Sequence, residues 1–89
     1  MPLTKEEKEK IIKEFAQIKG DTGSPEVQVA LLTAEIKSLQ DHLKEHKSDA
    51  PGKRAILGKV AKRRRLLEYL TSQNQDRYQA LIKKLGLKK

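Results

Sequence analysis

The chain has 89 residues, 36% of them hydrophobic and 36% charged, which fits one domain over residues 1–89 with a modest core built on 22 Ile, Leu, Val and Phe side chains. The absence of Cys excludes disulfides, thiolate metal sites and a cysteine nucleophile, and no apolar run approaches the roughly 18 residues of a membrane span, so a soluble, intracellular protein is expected. The formal charge of +8 is unevenly placed: residues 1–49 hold 8 basic and 10 acidic side chains, residues 50–89 hold 12 basic and 2 acidic, and all five arginines lie in the second part.

Leu, Ala, Lys, Glu and Gln dominate the composition, which favours helices over strands. A first helix is predicted from Thr4, because Thr4-Lys5-Glu6-Glu7 places a hydroxyl three residues before a carboxylate, the capping-box spacing. Ile11, Ile12, Phe15 and Ile18 give it an apolar stripe, and Gly20-Asp21-Thr22-Gly23 breaks it. A second helix opens at Ser24-Pro25-Glu26, with Ser24 suited to cap, Pro25 to the first helical position and Glu26 to the positive end of the dipole. Val29, Leu32, Ile36, Leu39 and Leu43 then recur at alternating spacings of 3 and 4, a narrow core seam that should end near Glu45 or His46.

Lys47 to Gly52 reads as the next break, with Pro51 and Gly52 its strongest signals. The third helix is predicted to bury Ile56, Val60, Leu67 and Leu70 and to end near Ser72. Asn74 is placed to cap a short fourth helix with Tyr78, Leu81, Ile82 and Leu85 apolar, and Gly86 to end it in a left-handed conformation. The connections are short, which implies antiparallel neighbours.

Helix geometry sorts the basic half. At 100° per residue, Val60 and Ile56 fall within roughly 20° of Leu67, whereas Arg65, Tyr69, Gly58 and Lys62 fall roughly 140° to 180° away. An aromatic ring opposite the core, one turn from an arginine, suits stacking and phosphate contact; covering the fourth helix or snorkelling along the surface is the structural alternative. Arg63 lies close to the core direction and should lay its stem along it. In the second helix Gln28, Glu35 and His42 repeat every seven residues beside the seam, and Asp49 continues the count. They form either a polar flank or a line able to read RNA edges. The Gly20-to-Ser24 loop before a helix N-terminus suits either a plain cap or a phosphate contact, and it lacks the Lys of a P-loop.

Catalytic readings find little. His42 and His46 stand four apart on a helix, but the sequence between them lacks the early Glu of the zinc-protease motif, and no serine sits in a nucleophile setting. No enzyme activity, cofactor or metal is expected. The charge asymmetry points to a polyanion; an acidic protein partner or DNA are the alternatives to RNA.

Four blocks carry a more specific resemblance: Gly20-Asp21-Thr22-Gly23-Ser24-Pro25-Glu26-Val27-Gln28-Val29-Ala30-Leu31-Leu32-Thr33, then His42-Leu43-Lys44-Glu45-His46-Lys47-Ser48-Asp49, then Arg63-Arg64-Arg65-Leu66-Leu67-Glu68-Tyr69-Leu70, and the tail Arg77-Tyr78-Gln79-Ala80-Leu81-Ile82-Lys83-Lys84-Leu85-Gly86-Leu87. In order and spacing the chain resembles, over essentially its whole length, the bacterial family of small-subunit ribosomal protein number fifteen. The resemblance implies an all-α protein of four helices, three packed as an antiparallel bundle and the N-terminal one more mobile. It implies a structural constituent of the small ribosomal subunit, located on the ribosome in the cytoplasm. Such a protein binds 16S ribosomal RNA during assembly, lies near other small-subunit proteins, and meets 23S ribosomal RNA at an intersubunit bridge. It is expected to be a monomer when free, with no membrane association.

Carried over position by position, the resemblance suggests Thr22, Gly23, Gln28, Arg65 and Tyr69 for a three-way RNA junction, and His42 and Asp49 for a minor-groove site. Lys47, Arg54, Lys62 and Arg64 are the supporting phosphate contacts. Several positions depart from the family pattern, among them Ser72, which replaces a position that can be basic. Gly52 stands where a serine supports the minor-groove contact, so Gly52→Ser is expected to tighten that contact and spare the junction. Glu35 stands where some relatives have an arginine facing RNA, and a carboxylate there would repel phosphate, so that contact is not carried over.

Overall fold

The structure, a computed structural model, describes residues 3–17 and 23–86; Ile18, Thr22, the first part of the glycine loop and Leu87 lie outside the described residues. Four helices follow one another: α1 (Lys5–Phe15), α2 (Pro25–Glu45), α3 (Ala50–Gln73) and α4 (Gln75–Leu85). No strand occurs among the described residues.

Local capping sets most of the boundaries. The Thr4 hydroxyl accepts from the Glu7 amide at 3.1 Å, and a Glu7 carboxylate oxygen accepts from the Thr4 amide at 3.1 Å, the predicted reciprocal box. The Thr4 amide foremost, and the Thr4 hydroxyl second, hold the Glu7 carboxyl below its ordinary value. Ser24 accepts from the Val27 amide and Asn74 from the Arg77 amide, so α2 and α4 start where the sequence places them. Gly86 closes α4 at φ 73°, where a side chain would be strained.

The start of α3 corrects the sequence reading. Residues 50–52 are already helical, so Pro51 and Gly52 belong to the first turn rather than to the break. Asp49 is the cap, its Oδ1 accepting from the Gly52 amide at 3.0 Å. Pro51 is the second helical residue, where the missing N–H would have had no intrahelical acceptor.

The core forms where the end of α1, the start of α2 and the last part of α3 meet α4. Phe15 from α1, Val27, Val29 and Ala30 from α2, Leu67 and Leu70 from α3, and Leu81 and Ile82 from α4 form one buried cluster. Farther along α2, Leu32, Ile36 and Leu39 are buried as the 3-and-4 spacing predicts, and Leu43 is half-buried. Helix α1 lies against α2, with Ile11 and Ile12 packed onto the cluster. The α2–α3 pair is antiparallel, and three contacts set its register: Arg63 donates to the Thr33 hydroxyl at 3.2 Å, Lys59 stands 3.5 Å from the Glu35 carboxylate, and Gly52 lies beside Leu43. Arg63 thus spans to α2, as its near-core direction suggests.

Val60 is the misplaced core residue. It is 37% exposed although its wheel position matches that of Leu67. The reason is length. Helix α4 has 11 residues and covers about 16 Å, while α3 has 24 and runs about 36 Å, so α4 folded back from Asn74 ends near the level of Val60. Leu57, one turn farther out, is exposed as well.

Candidate nucleic-acid interface

The α2–α3 register places the site residues at two levels. Carried toward the N-terminus of α2, it sets Gln28 level with Leu67, between the levels of Arg65 and Tyr69. Carried the other way, it sets His42 beside the start of α3. Fourteen residues separate Gln28 from His42, about 21 Å along the helix, so the two groups stand toward opposite ends of the α2–α3 pair.

On the outward face of α3, Tyr69 is 55% exposed and Arg65, Lys62 and Gly58 are exposed along the same side, with Tyr69 and Arg65 bracketing the level of Gln28. The Tyr69 hydroxyl and the charged ends of Arg65 and Lys62 have no hydrogen-bond or ion-pair partner among the described residues. A ring this exposed does not serve as a cover for α4, while lying along the surface fits the same exposure. Gly58 sits mid-helix with nothing inside the molecule within 4 Å of a Cβ built there. A glycine in a helix interior costs about 1 kcal/mol relative to alanine, and no internal packing accounts for it here. Gly23 is likewise open, and its φ is not positive. Its carbonyl accepts from Gln28 Nε2 at 2.7 Å, which ties the side chain of Gln28 back onto the turn before α2. Thr22, assigned to the same surface, lies outside the described residues.

At the second level, His42 Nε2 is 2.9 Å from Asp49 Oδ2, and the other Asp49 oxygen is the α3 cap. The Gly52 amide first, and the His42 ring second, hold the Asp49 carboxyl below its ordinary value. The His46 ring stacks on His42 at a centroid distance of 4.5 Å. An open hollow of about 780 Å³ lies over these residues, with Lys44, Lys47 and Ser48 on its rim. Gly52 is integral to this geometry: a Cβ there would stand 2.6 Å from Asp49 Oδ2 and 3.2 Å from a Leu43 methyl. A serine at position 52 therefore requires the Asp49 carboxylate to shift, a steric demand that the sequence alone does not reveal.

The seven-residue line of α2 turns out to have three different partners: Gln28 reaches back to Gly23, Glu35 pairs with Lys59, and His42 pairs with Asp49. Glu35 is thus neutralised from α3. Of the supporting cations, Lys47, Arg54 and Lys62 are exposed, with no ion pair among the described residues, while Arg64 sits 3.8 Å from Glu68 in a pair open to water. Such a pair holds its arginine only weakly. No group of three or more His, Asp or Glu able to hold a metal occurs among the described residues, and none of the helices there is long and apolar enough to cross a membrane.

One pairing has no counterpart in the sequence pattern. Glu26, in the first turn of α2, is 3% exposed at its side chain and accepts from Arg77 Nε at 2.5 Å and from a terminal nitrogen of Arg77 at 2.6 Å. The two residues are 51 apart, beyond any local spacing.

Comparison with known proteins gives a consistent picture. The family model described as Ribosomal protein S15 matches residues 8–88. The chain is 53% identical over 89 residues to the small ribosomal subunit protein uS15 of Natranaerobius thermophilus, with the whole of both chains covered. It is 51% identical, again over the whole of both chains, to the small ribosomal subunit protein uS15 of Nitrosomonas europaea.

Proposed function

The chain belongs to the ribosomal protein S15 family, and from that premise we propose that it acts as one RNA-binding domain whose two surfaces grip two nearby parts of 16S ribosomal RNA. As a family member it is a structural, non-enzymatic constituent of the small ribosomal subunit, associated with ribosomal RNA and with other ribosomal proteins.

The observation that carries the finer reading is the face of α3 opposite the core. Tyr69, Arg65 and Lys62 project outward without partners among the described residues, and Tyr69 and Arg65 bracket the level of Gln28. In this reading, Tyr69 stacks on a splayed base or sugar, Arg65 and Lys62 neutralise phosphates, and Gln28 with Thr22 and Gly23 fixes the shape of a three-way junction. His42 and Asp49 contact a minor groove about 21 Å away, where a wide, shallow RNA groove presents hydroxyls and base edges. Lys47, Arg54 and Arg64 add phosphate contacts, and the mechanism is shape recognition. Binding favours the folded junction by its differential affinity for that form.

The same reading includes a contact with 23S ribosomal RNA at an intersubunit bridge, a cytoplasmic ribosomal location and a monomeric free state. Co-sedimentation with small-subunit particles in high salt tests the basic claim. A shape-specific complex stays with the particle, whereas a loose charge-driven one dissociates as phosphate contacts are screened. Release of the chain at the same salt as a scrambled basic peptide would contradict the proposal.

A further inference from the structure

The Glu26–Arg77 fork lies where three helices converge. Glu26 is the second residue of α2 and Arg77 the third of α4. Phe15 and Gln17, from the end of α1 and just beyond it, line the same hollow of about 200 Å³, together with Leu81 and Lys84. Glu26 is almost wholly removed from water, while the Arg77 side chain keeps 39% exposure.

A buried ion pair is weak support for stability, since removing two charges from water offsets most of their attraction. What it adds is direction. Two parallel N–H···O bonds to one carboxylate permit one orientation of the partners, whereas an apolar contact would let them slide. Here the fork fixes the first turn of α2 relative to α4. That turn begins directly after Gly23 and Ser24 and carries Gln28 two residues beyond Glu26. Counted by sequence, Arg77 is one of five arginines in the basic half. In the fold, a carboxylate oxygen takes the proton of its Nε and another takes one from a terminal nitrogen.

We propose that Arg77, through its fork on Glu26, is a positioning residue for the RNA interface: it sets the orientation in which Gly23 and Gln28 are presented and contacts no phosphate itself. The proposal rests on the junction-binding reading above.

The test uses the full chain as wild type, Arg77→Met, Arg77→Lys and the double variant Glu26→Gln/Arg77→Met. It measures affinity for an isolated three-way junction across a salt series, thermal stability, and the NMR signal of the Gln28 side-chain amide. Arg77→Met leaves a buried carboxylate unpaired and is expected to lose stability; the double variant removes both charges and should recover it. The expected result is a roughly 3- to 30-fold weaker complex for Arg77→Met, still weak in the recovered double variant and intermediate in Arg77→Lys. The salt slope stays at the wild-type value, and the Gln28 amide signal shifts.

A slope smaller by about 0.9 would mean that Arg77 contacts a phosphate, which overturns the proposal. Affinity that recovers together with stability in the double variant would reduce the pair to a structural contact and overturn it equally. If the wild type itself does not bind the junction, the RNA reading fails, and an unmoved Gln28 amide signal then removes the positioning claim separately.

Discussion

Tyr69 and Leu70 are adjacent in sequence and opposite in consequence. Leu70 is 1% exposed at the centre of the cluster joining all four helices, and Tyr69 is 55% exposed on the other side of α3. Leu70→Ala removes buried methyl groups and leaves a cavity, a loss of about 3 kcal/mol. At roughly 2.1 cal/mol/K of unfolding entropy per residue, a chain of 89 residues has about 0.19 kcal/mol/K in total, so the midpoint should fall by about 15 °C. Tyr69→Ala removes little packing and places a better helix former at an exposed site, so its effect on stability stays within about 0.5 kcal/mol, or about 3 °C. Its effect on binding is the larger one. Loss of one stacked base contact is worth about 1–3 kcal/mol, which is roughly 5- to 150-fold in affinity. Circular dichroism melts and filter binding to an isolated junction, both run on both variants, read the two effects. A melting point for Tyr69→Ala lowered as far as that of Leu70→Ala would show that the ring packs inside. A folded Tyr69→Ala with wild-type affinity would remove the ring from the interface.

Three further outcomes follow from particular contacts. Gly58→Ala should stabilise the chain by about 1 kcal/mol, some 5 °C in a thermal melt, because the added methyl meets nothing within 4 Å; a destabilised variant would expose an unrecognised contact. Gly52→Ser should push the Asp49 carboxylate off His42, since the new carbon would lie 2.6 Å from Oδ2; the check is the His42 ring signal in an NMR titration, and an unchanged His42–Asp49 coupling would refute the steric reasoning. The Asp49 carboxyl is held below its ordinary value by the Gly52 amide and then by His42. Its stabilising effect is therefore complete above the unfolded-state pKa and disappears as pH falls through the depressed folded-state one. Amide exchange in the first turn of α3 should accelerate over that acid window, and Asp49→Asn should abolish the pH dependence; an Asp49 titration at the ordinary aspartate value would contradict the assignment.

The parts of the fold legible in sequence are those decided within one turn of helix. Thr4, Ser24, Asn74 and Gly86 each cap through a group at most four residues away, and all four act as their residue types suggest. Pro51 and Gly52 mislead for the same local reason: their usual meaning as breakers is outweighed by Asp49, which starts the helix just before them. Val60 misleads because a helical wheel assumes a partner along the whole helix, and α4 is too short to supply one. The candidate interface divides along the same line. The outward direction of Arg65 and Tyr69 follows from 100° per residue and survives in the fold. Their height relative to Gln28, the pairing of Glu35 with Lys59 and the fork between Glu26 and Arg77 depend on helix register, which no local spacing encodes.

The central claim is recognition of a junction by shape, and it is tested most directly by competition between two RNAs of equal length and charge. One carries the three-way junction of the central domain of 16S ribosomal RNA; the other is an uninterrupted duplex. At moderate salt the chain should prefer the junction by at least an order of magnitude, because charge neutralisation is common to both and only the junction engages Tyr69, Gln28 and the turn at Gly23. Equal affinity for the two RNAs would contradict it and leave only a basic helical surface.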